Sequence, residues 1–184
     1  DRKSLETNYK NFLNVFTELY PKVELAYSFK TNYIPQLCKH INELGGISEV
    51  VSDMELDLAL KLDVPNKKII YNGPYKTIKS LKKALNNNVI IHIDSLDEYL
   101  NIEHLLKQNH SINKCLLGIR MNLDLKENQI SRFGLDINSK EFMEILKLLQ
   151  NNKKIKLLGI HCHLPHRDLK SFKMLFRSTF FSRT

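Results

Sequence analysis

A lone lysine closes the alternating stretch Val23-Glu24-Leu25-Ala26-Tyr27-Ser28-Phe29-Lys30. The alternation predicts a β-strand over 23–29, because strand side chains point to opposite faces in turn. Val23, Leu25, Tyr27 and Phe29 make an apolar face suited to packing under helices. Glu24, Ala26, Ser28 and Lys30 make a smaller, more polar face that ends in a primary amine. An amine held at a strand end, partly out of water, is neutral and nucleophilic enough to form a Schiff base. With 22 lysines in 184 residues, the default for any one of them is a surface side chain snorkelling at an element's end. Lys30 therefore gains its weight from its company.

That company sits at the carboxyl ends of further apolar runs. Asn32 follows Lys30, Glu49 and Ser52 accompany the second run, Asn72 ends the third, Asp94 the fourth, Arg120 and Asn122 the fifth, and His161 and His163 the sixth. Ser52 and Asp94 also read as helix caps and Asn72 as a turn residue. Arg120 lies in an otherwise apolar stretch, and a buried arginine requires an anionic partner. Glu49 is the expected partner; a structural ion pair without chemistry accounts for the pattern equally well. His161-Cys162-His163 alternates, so both imidazoles share a face. Zinc would need third and fourth ligands, and Cys38 and Cys115 lie far off in sequence, so no metal is expected. A flat imidazole stacked on a ring, or a hydrogen-bonded core histidine, are the two readings of His163.

These residues need a scaffold, and the chain supplies one in which strands and helices alternate. Ser4 to about Tyr20 is amphipathic, with Leu5, Phe12, Leu13, Phe16 and Leu19 at helical spacing. A helix is predicted from Pro35 to Leu44, where Gly45-Gly46 stops it. The second strand is 47–51, and Ser52 with Glu55 reads as a capping box for a helix to Leu62. Strands at 68–71, 89–93, 115–121 and 155–163 follow, separated by helices at 77–85, 94–107 and 139–150. Residues 121–134 form a long loop, and 169–181 a last helix. Six strands joined by helices imply right-handed βαβ units and a parallel sheet. A doubly wound sheet and a (β/α)8 barrel both fit this rhythm. G-x-G-x-x-G after the first strand and the P-loop are both absent.

Composition narrows the class. Hydrophobic residues at 42% suffice for one domain spanning residues 1–184. No stretch of 18 apolar residues exists, so no membrane partner is expected. The net charge of +8 comes mostly from lysines spread over helix faces, without an arginine cluster or aromatic–basic interleaving, so no nucleic-acid partner is expected. Three sparse cysteines, Cys38, Cys115 and Cys162, suggest a reducing compartment, hence the cytoplasm. The start, Asp1-Arg2-Lys3-Ser4, shows no signal-peptide pattern and no initiator Met.

Five segments, in order, carry a family likeness: 27–32 around Lys30, 49–56 around Glu49 and Glu55, 70–77, Arg132-Phe133-Gly134-Leu135, and Leu158-Gly159-Ile160-His161-Cys162-His163. Together they resemble the fold-type III, pyridoxal-phosphate-dependent decarboxylases, the group of diaminopimelate and ornithine decarboxylases. The resemblance implies a partial TIM (β/α)8 barrel of the alanine racemase-like kind, with about six of the eight strands present. It implies that Lys30 holds pyridoxal 5'-phosphate as a Schiff base and that His163 stacks on the cofactor ring. Glu49 falls where the family has an acidic residue, Glu55 and Arg120 match positions near the cofactor, and Arg132 matches a usual basic position. Where the family has Gly-Ser to hold the phosphate, this chain has Pro165-His166, so His166 or Arg167 is expected to hold it instead. The Gly-rich phosphate loop, the acidic partner of the pyridine nitrogen and the β-domain of the family are not in these residues. The expectation is an amino-terminal part of a decarboxylase of a basic or dibasic amino acid, homodimeric when full length, with weak or no turnover in this part alone. A racemase of the same fold, or a pyridoxal-phosphate-binding protein without turnover, are the alternatives.

Overall fold

The structure is a computed structural model and describes residues 1–122, 132–164, 168–170 and 173. Its strands are β1 (Ala26–Ser28), β2 (Ile47–Val50), β3 (Ile69–Tyr71), β4 (Ile90–Ile93), β5 (Cys115–Asn122), β6 (Leu135–Asp136) and β7 (Ile155–Cys162). The helices between and before them are α1 (Arg2–Thr17), α2 (Pro35–Glu43), α3 (Asp53–Lys61), α4 (Ile78–Asn86), α5 (Leu96–Gln108) and α6 (Lys140–Asn151). Every strand pair is parallel. Sheet order follows chain order from β1 to β5; β7 pairs along β5, and the two-residue β6 also pairs with β5, at its end, through Met121 and Asn122. The wall is that of a β/α barrel, and among the described residues β1 and β7 do not meet to close it.

Alternation along each strand decides the two faces. Phe29, Val50, Ile69, Tyr71, Ile91, Ile93, Leu117 and Ile119 are buried on the helix side, with Leu56, Ala59, Leu81, Ala84, Tyr99, Ile102 and Ile145 of the helices. The other face carries Ser28, Glu49, Ile70, Ile90 and His92, all half-buried, because the open wall leaves it only partly covered. Most strands are short and end together, so their carboxyl ends share one rim.

The helix starts are written locally. Ser52, Thr77, Ser95 and Ser139 each cap a helix, their hydroxyls accepting from the backbone N–H groups of Glu55, Ser80, Glu98 and Phe142. Ser95→Ala should cost about 1 kcal/mol through the lost cap, read as a lower urea midpoint with an unchanged slope. At Ser52 the expected reciprocal box takes a variant form. Glu55 accepts from Val51 N–H at 2.8 Å rather than from Ser52 N–H.

Two expectations change. β1 is shorter than 23–29, and Phe29–Thr31 form a single 3-10 turn. The helix α1 ends at Thr17, and its apolar stripe of Phe12, Phe16 and the following Leu19 is exposed rather than core. Spacing alone specifies a stripe but not what covers it. Of the expected last helix, only residues 168–170 and 173 are described, and the rest lies outside the described residues.

Candidate active site

The rim at the carboxyl ends of the strands gathers the charged groups. Lys30 occupies the middle of the 3-10 turn after β1 and is exposed, not half-withdrawn from water as the alternation suggested. The turn carries it past the end of the sheet, and the unclosed wall leaves the rim open beside it. Its charge nevertheless acts on two rim groups, Glu55 and His161. Glu49 stands on β2 directly opposite Ser28. Glu55, in the first turn of α3, is buried, and burial raises its carboxyl above the ordinary value. The neighbouring charge of Glu49 raises it further, against the lowering by the Val51 N–H bond and by Lys30.

Arg120 is buried, but its partner is Asp94, not Glu49. Arg120 Nη1 donates to Asp94 Oδ1 at 3.0 Å. Register explains the correction: β4 lies beside β5, whereas β2 is three strands away. Asp94 is thereby freed from the capping role, which Ser95 alone performs. Its second oxygen accepts from Gly134 N–H at 2.9 Å. Gly134 has φ +83°, and a Cβ there would lie 2.9 Å from the Arg120 carbonyl oxygen, so only glycine fits. This contact sets Phe133 beside Arg120, whose guanidinium lies 4.6 Å from the ring centroid; Arg132 approaches the same ring at 4.9 Å. His163 meets Phe133 edge-on at 6.1 Å. The Arg-Phe-Gly segment thus joins Arg120 to His163.

A register shift in β7 aims the histidines. Leu117 pairs with Leu157, but Gly118 pairs with Gly159, so Leu158 is the extra residue of a bulge. Beyond it, His161 stands opposite Arg120. Its ring lies 5.3 Å from that of His92 on β4, tilted by 43°. Burial pushes His161 down to about 4 and His92 to about 3, helped by neighbouring cationic and imidazole groups. Both rings are neutral at physiological pH.

Residues 2–174 match the model of the family described as pyridoxal-dependent decarboxylase, pyridoxal binding domain. The chain belongs to that family. Among proteins like this pyridoxal-binding domain, diaminopimelate decarboxylase of Aquifex aeolicus is 29% identical over 172 residues, 87% of this chain and 40% of that one. Ornithine decarboxylase of Candida albicans is 30% identical over 83% of this chain and 31% of its own length. The crystal structure of diaminopimelate decarboxylase from Methanocaldococcus jannaschii superposes with a TM-score of 0.80 at 25% identity, covering 95% of this chain and 43% of that one. The domain thus spans well under half the length of these relatives.

The family's cofactor is pyridoxal phosphate, and the rim fits such a group. Ser28 Oγ, Asn72 Oδ1, His92 Nδ1, Arg120 Nε and His161 Nδ1 are buried and have no hydrogen-bond partner among the described residues. An orphaned buried polar group costs about 1–3 kcal/mol, so five at one rim call for a polar occupant. The amine of Lys30 suits an aldehyde, and the Arg120 guanidinium suits an anionic or phenolic oxygen. Pro165 and His166, with the phosphate expectation they carry, lie outside the described residues.

The most buried ion pair among the described residues joins Lys76 and Glu98, neither of which stood out in the sequence. Lys76 Nζ donates to Glu98 Oε1 at 2.6 Å, to Gly73 O at 2.7 Å and to His92 O at 2.8 Å. Glu98 Oε2 accepts from Asp94 N–H at 2.8 Å, so the Lys76–Glu98 pair braces the Asp94–Arg120 pair. One signal was present: Ser95-x-x-Glu98 repeats the Ser52-x-x-Glu55 pattern, and both glutamates turn back onto the residue before the cap. Lys76 carried no local mark in so lysine-rich a chain.

Proposed function

We propose that this domain holds the cofactor of a decarboxylase that acts on a basic or dibasic amino acid, of the diaminopimelate or ornithine kind. The observation that carries the reading is Lys30 at the carboxyl end of β1, electrostatically linked to Glu55 and His161, in a domain of a pyridoxal-binding family. The names of the relatives support the substrate class, and the Methanocaldococcus jannaschii enzyme has been crystallised with L-lysine. The activity, the homodimer and the substrate belong in this reading to the whole protein. We place it in the cytoplasm, in keeping with three free cysteines. No helix among the described residues is long and apolar enough to cross a membrane.

In this reading Lys30 is the attachment point for the cofactor aldehyde. When bound, pyridoxal phosphate supplies an electron sink for the pair released as the carboxylate leaves. Glu55 lies within electrostatic reach of Lys30, with Glu49 opposite Ser28 on the neighbouring strand, and the raised Glu55 carboxyl takes up a proton more readily than an ordinary glutamate. Arg120, oriented by Asp94 and backed by Phe133, presents to the occupant an Nε that has no partner among the described residues. His163, which meets Phe133 edge-on at 6.1 Å, is the imidazole we assign to stacking on the cofactor ring.

The test is direct. The protein is incubated with pyridoxal phosphate, reduced with borohydride, digested and mapped by mass spectrometry. The label is expected on the peptide carrying Lys30. A label on another lysine, or none, overturns the site assignment. For the full-length enzyme, release of carbon dioxide from a dibasic amino acid is expected, whereas inversion of the amino acid without gas would make it a racemase.

A further inference from the structure

We infer that His92 is a positioning residue: it occupies the space over Gly118 and seats the imidazole of His161 opposite Arg120. The inference rests on the reading of this rim as the cofactor site. No signal in the sequence set His92 apart, and the roles proposed above do not use it.

Complementary shape is the first argument. His92 pairs with Gly118 across β4 and β5, and Gly118 pairs with Gly159 across β5 and β7. A Cβ built on Gly118 would lie 2.3 Å from His92 Cδ2 and 2.7 Å from Nε2. The imidazole therefore fills the place of a β5 side chain, and the glycine exists to admit it. A Cβ on Gly159 would meet nothing within 4 Å. Two adjacent glycines thus form a trough across the inner wall, with the His92 ring over one end. His161, re-aimed by the β7 bulge, leans on that ring at 5.3 Å and 43°. The tilted geometry is favourable for two aromatic rings.

The ring nitrogens are the second argument. A histidine that only filled core volume would spend them on hydrogen bonds. Here Nδ1 of His92 and Nδ1 of His161 are both buried and have no partner among the described residues. The pair is built to face an occupant rather than to satisfy itself. Charge is the third. Arg120, Lys30, Lys76 and His163 surround these rings, with Asp94 as the acidic counterpart. Two neutral imidazoles give aromatic surface there without adding positive charge.

The test follows His161 itself. Protein labelled with 15N-histidine is titrated while the His161 ring resonances are recorded. In the wild type its midpoint is expected near about 4. His92→Ala lets water reach the ring and should move the midpoint toward the ordinary histidine value, a change of roughly tenfold or more in the protonation equilibrium. His92→Phe restores the packing and should return it. Gly118→Ala alone should be less stable than the wild type, and His92→Ala/Gly118→Ala should regain part of that thermal stability because the methyl then has room. An unmoved His161 midpoint in His92→Ala overturns the inference, whether or not Gly118→Ala folds. Borohydride labelling of the same samples separates the two readings. A Lys30 label with an unmoved His161 sinks the positioning role alone. A moved His161 with no Lys30 label sinks the cofactor reading.

Discussion

Lys76→Met is expected to destabilise the domain by about 3–5 kcal/mol, because it leaves the Glu98 carboxylate buried and unpaired. The ammonium it removes has no exposed side-chain surface and uses all three hydrogens, on Glu98, Gly73 and His92. Burial already opposes charge on both partners, pulling Lys76 down and pushing Glu98 up. The pair holds because each charge answers the other. Removing both charges should therefore be much milder than removing one. Lys76→Met/Glu98→Gln keeps an amide oxygen to accept from Asp94 N–H, and should recover most of the loss. Urea unfolding of the wild type, the single variant and the double variant checks this. A double variant no more stable than Lys76→Met would mean that the loss lies in packing rather than in the stranded charge.

Asp94→Ala should produce a loss of similar size, about 3–5 kcal/mol by the same argument, with a functional consequence that Lys76→Met need not share. Arg120 is left as an uncompensated buried cation, since its nearest acid in the rim is the one removed. Gly134 loses the acceptor of its N–H, and with it the tie that sets Phe133 against Arg120. Two groups proposed to meet the cofactor, Arg120 and His163, are joined through that ring. Asp94→Asn should be the milder change, because its amide oxygen still accepts one of the two N–H donors. The measurements are urea unfolding and the fraction of Lys30 labelled at a fixed pyridoxal phosphate concentration. A fully folded Asp94→Ala with wild-type labelling would show that the Arg120 tether is dispensable.

Much of the scaffold was legible locally. Alternation over 23–29 marked Phe29 as facing the helices, and it is fully buried, with Tyr27 of the same face half-buried. Pro35 and Gly45 bracketed α2 as expected, Gly45 adopting φ +98° just after the helix. Serines before α3, α5 and α6 marked their starts, because a hydroxyl that accepts from the next turn is a short-range device. The ordered segments around Lys30, Glu49, Phe133 and His161 carried the family, which the comparison over residues 2–174 bears out. The pleat decides which way a residue faces, and that much a sequence contains.

Which charge meets which is another matter. Arg120 was expected to meet Glu49, and only the position of β4 beside β5 selected Asp94 instead. Lys76 looked like any lysine until three acceptors from separate segments closed around it. The bulge after Leu157, which turns His161 toward His92, arises only from pairing with β5. By itself the chain determined its elements, several of their caps, the face the first strand buries and the candidate amine at Lys30. The tertiary structure alone decided the ion pairs, the imidazole contact and the exposure of Lys30. Propensity and periodicity act within a few residues, whereas these depend on stagger between strands far apart in sequence.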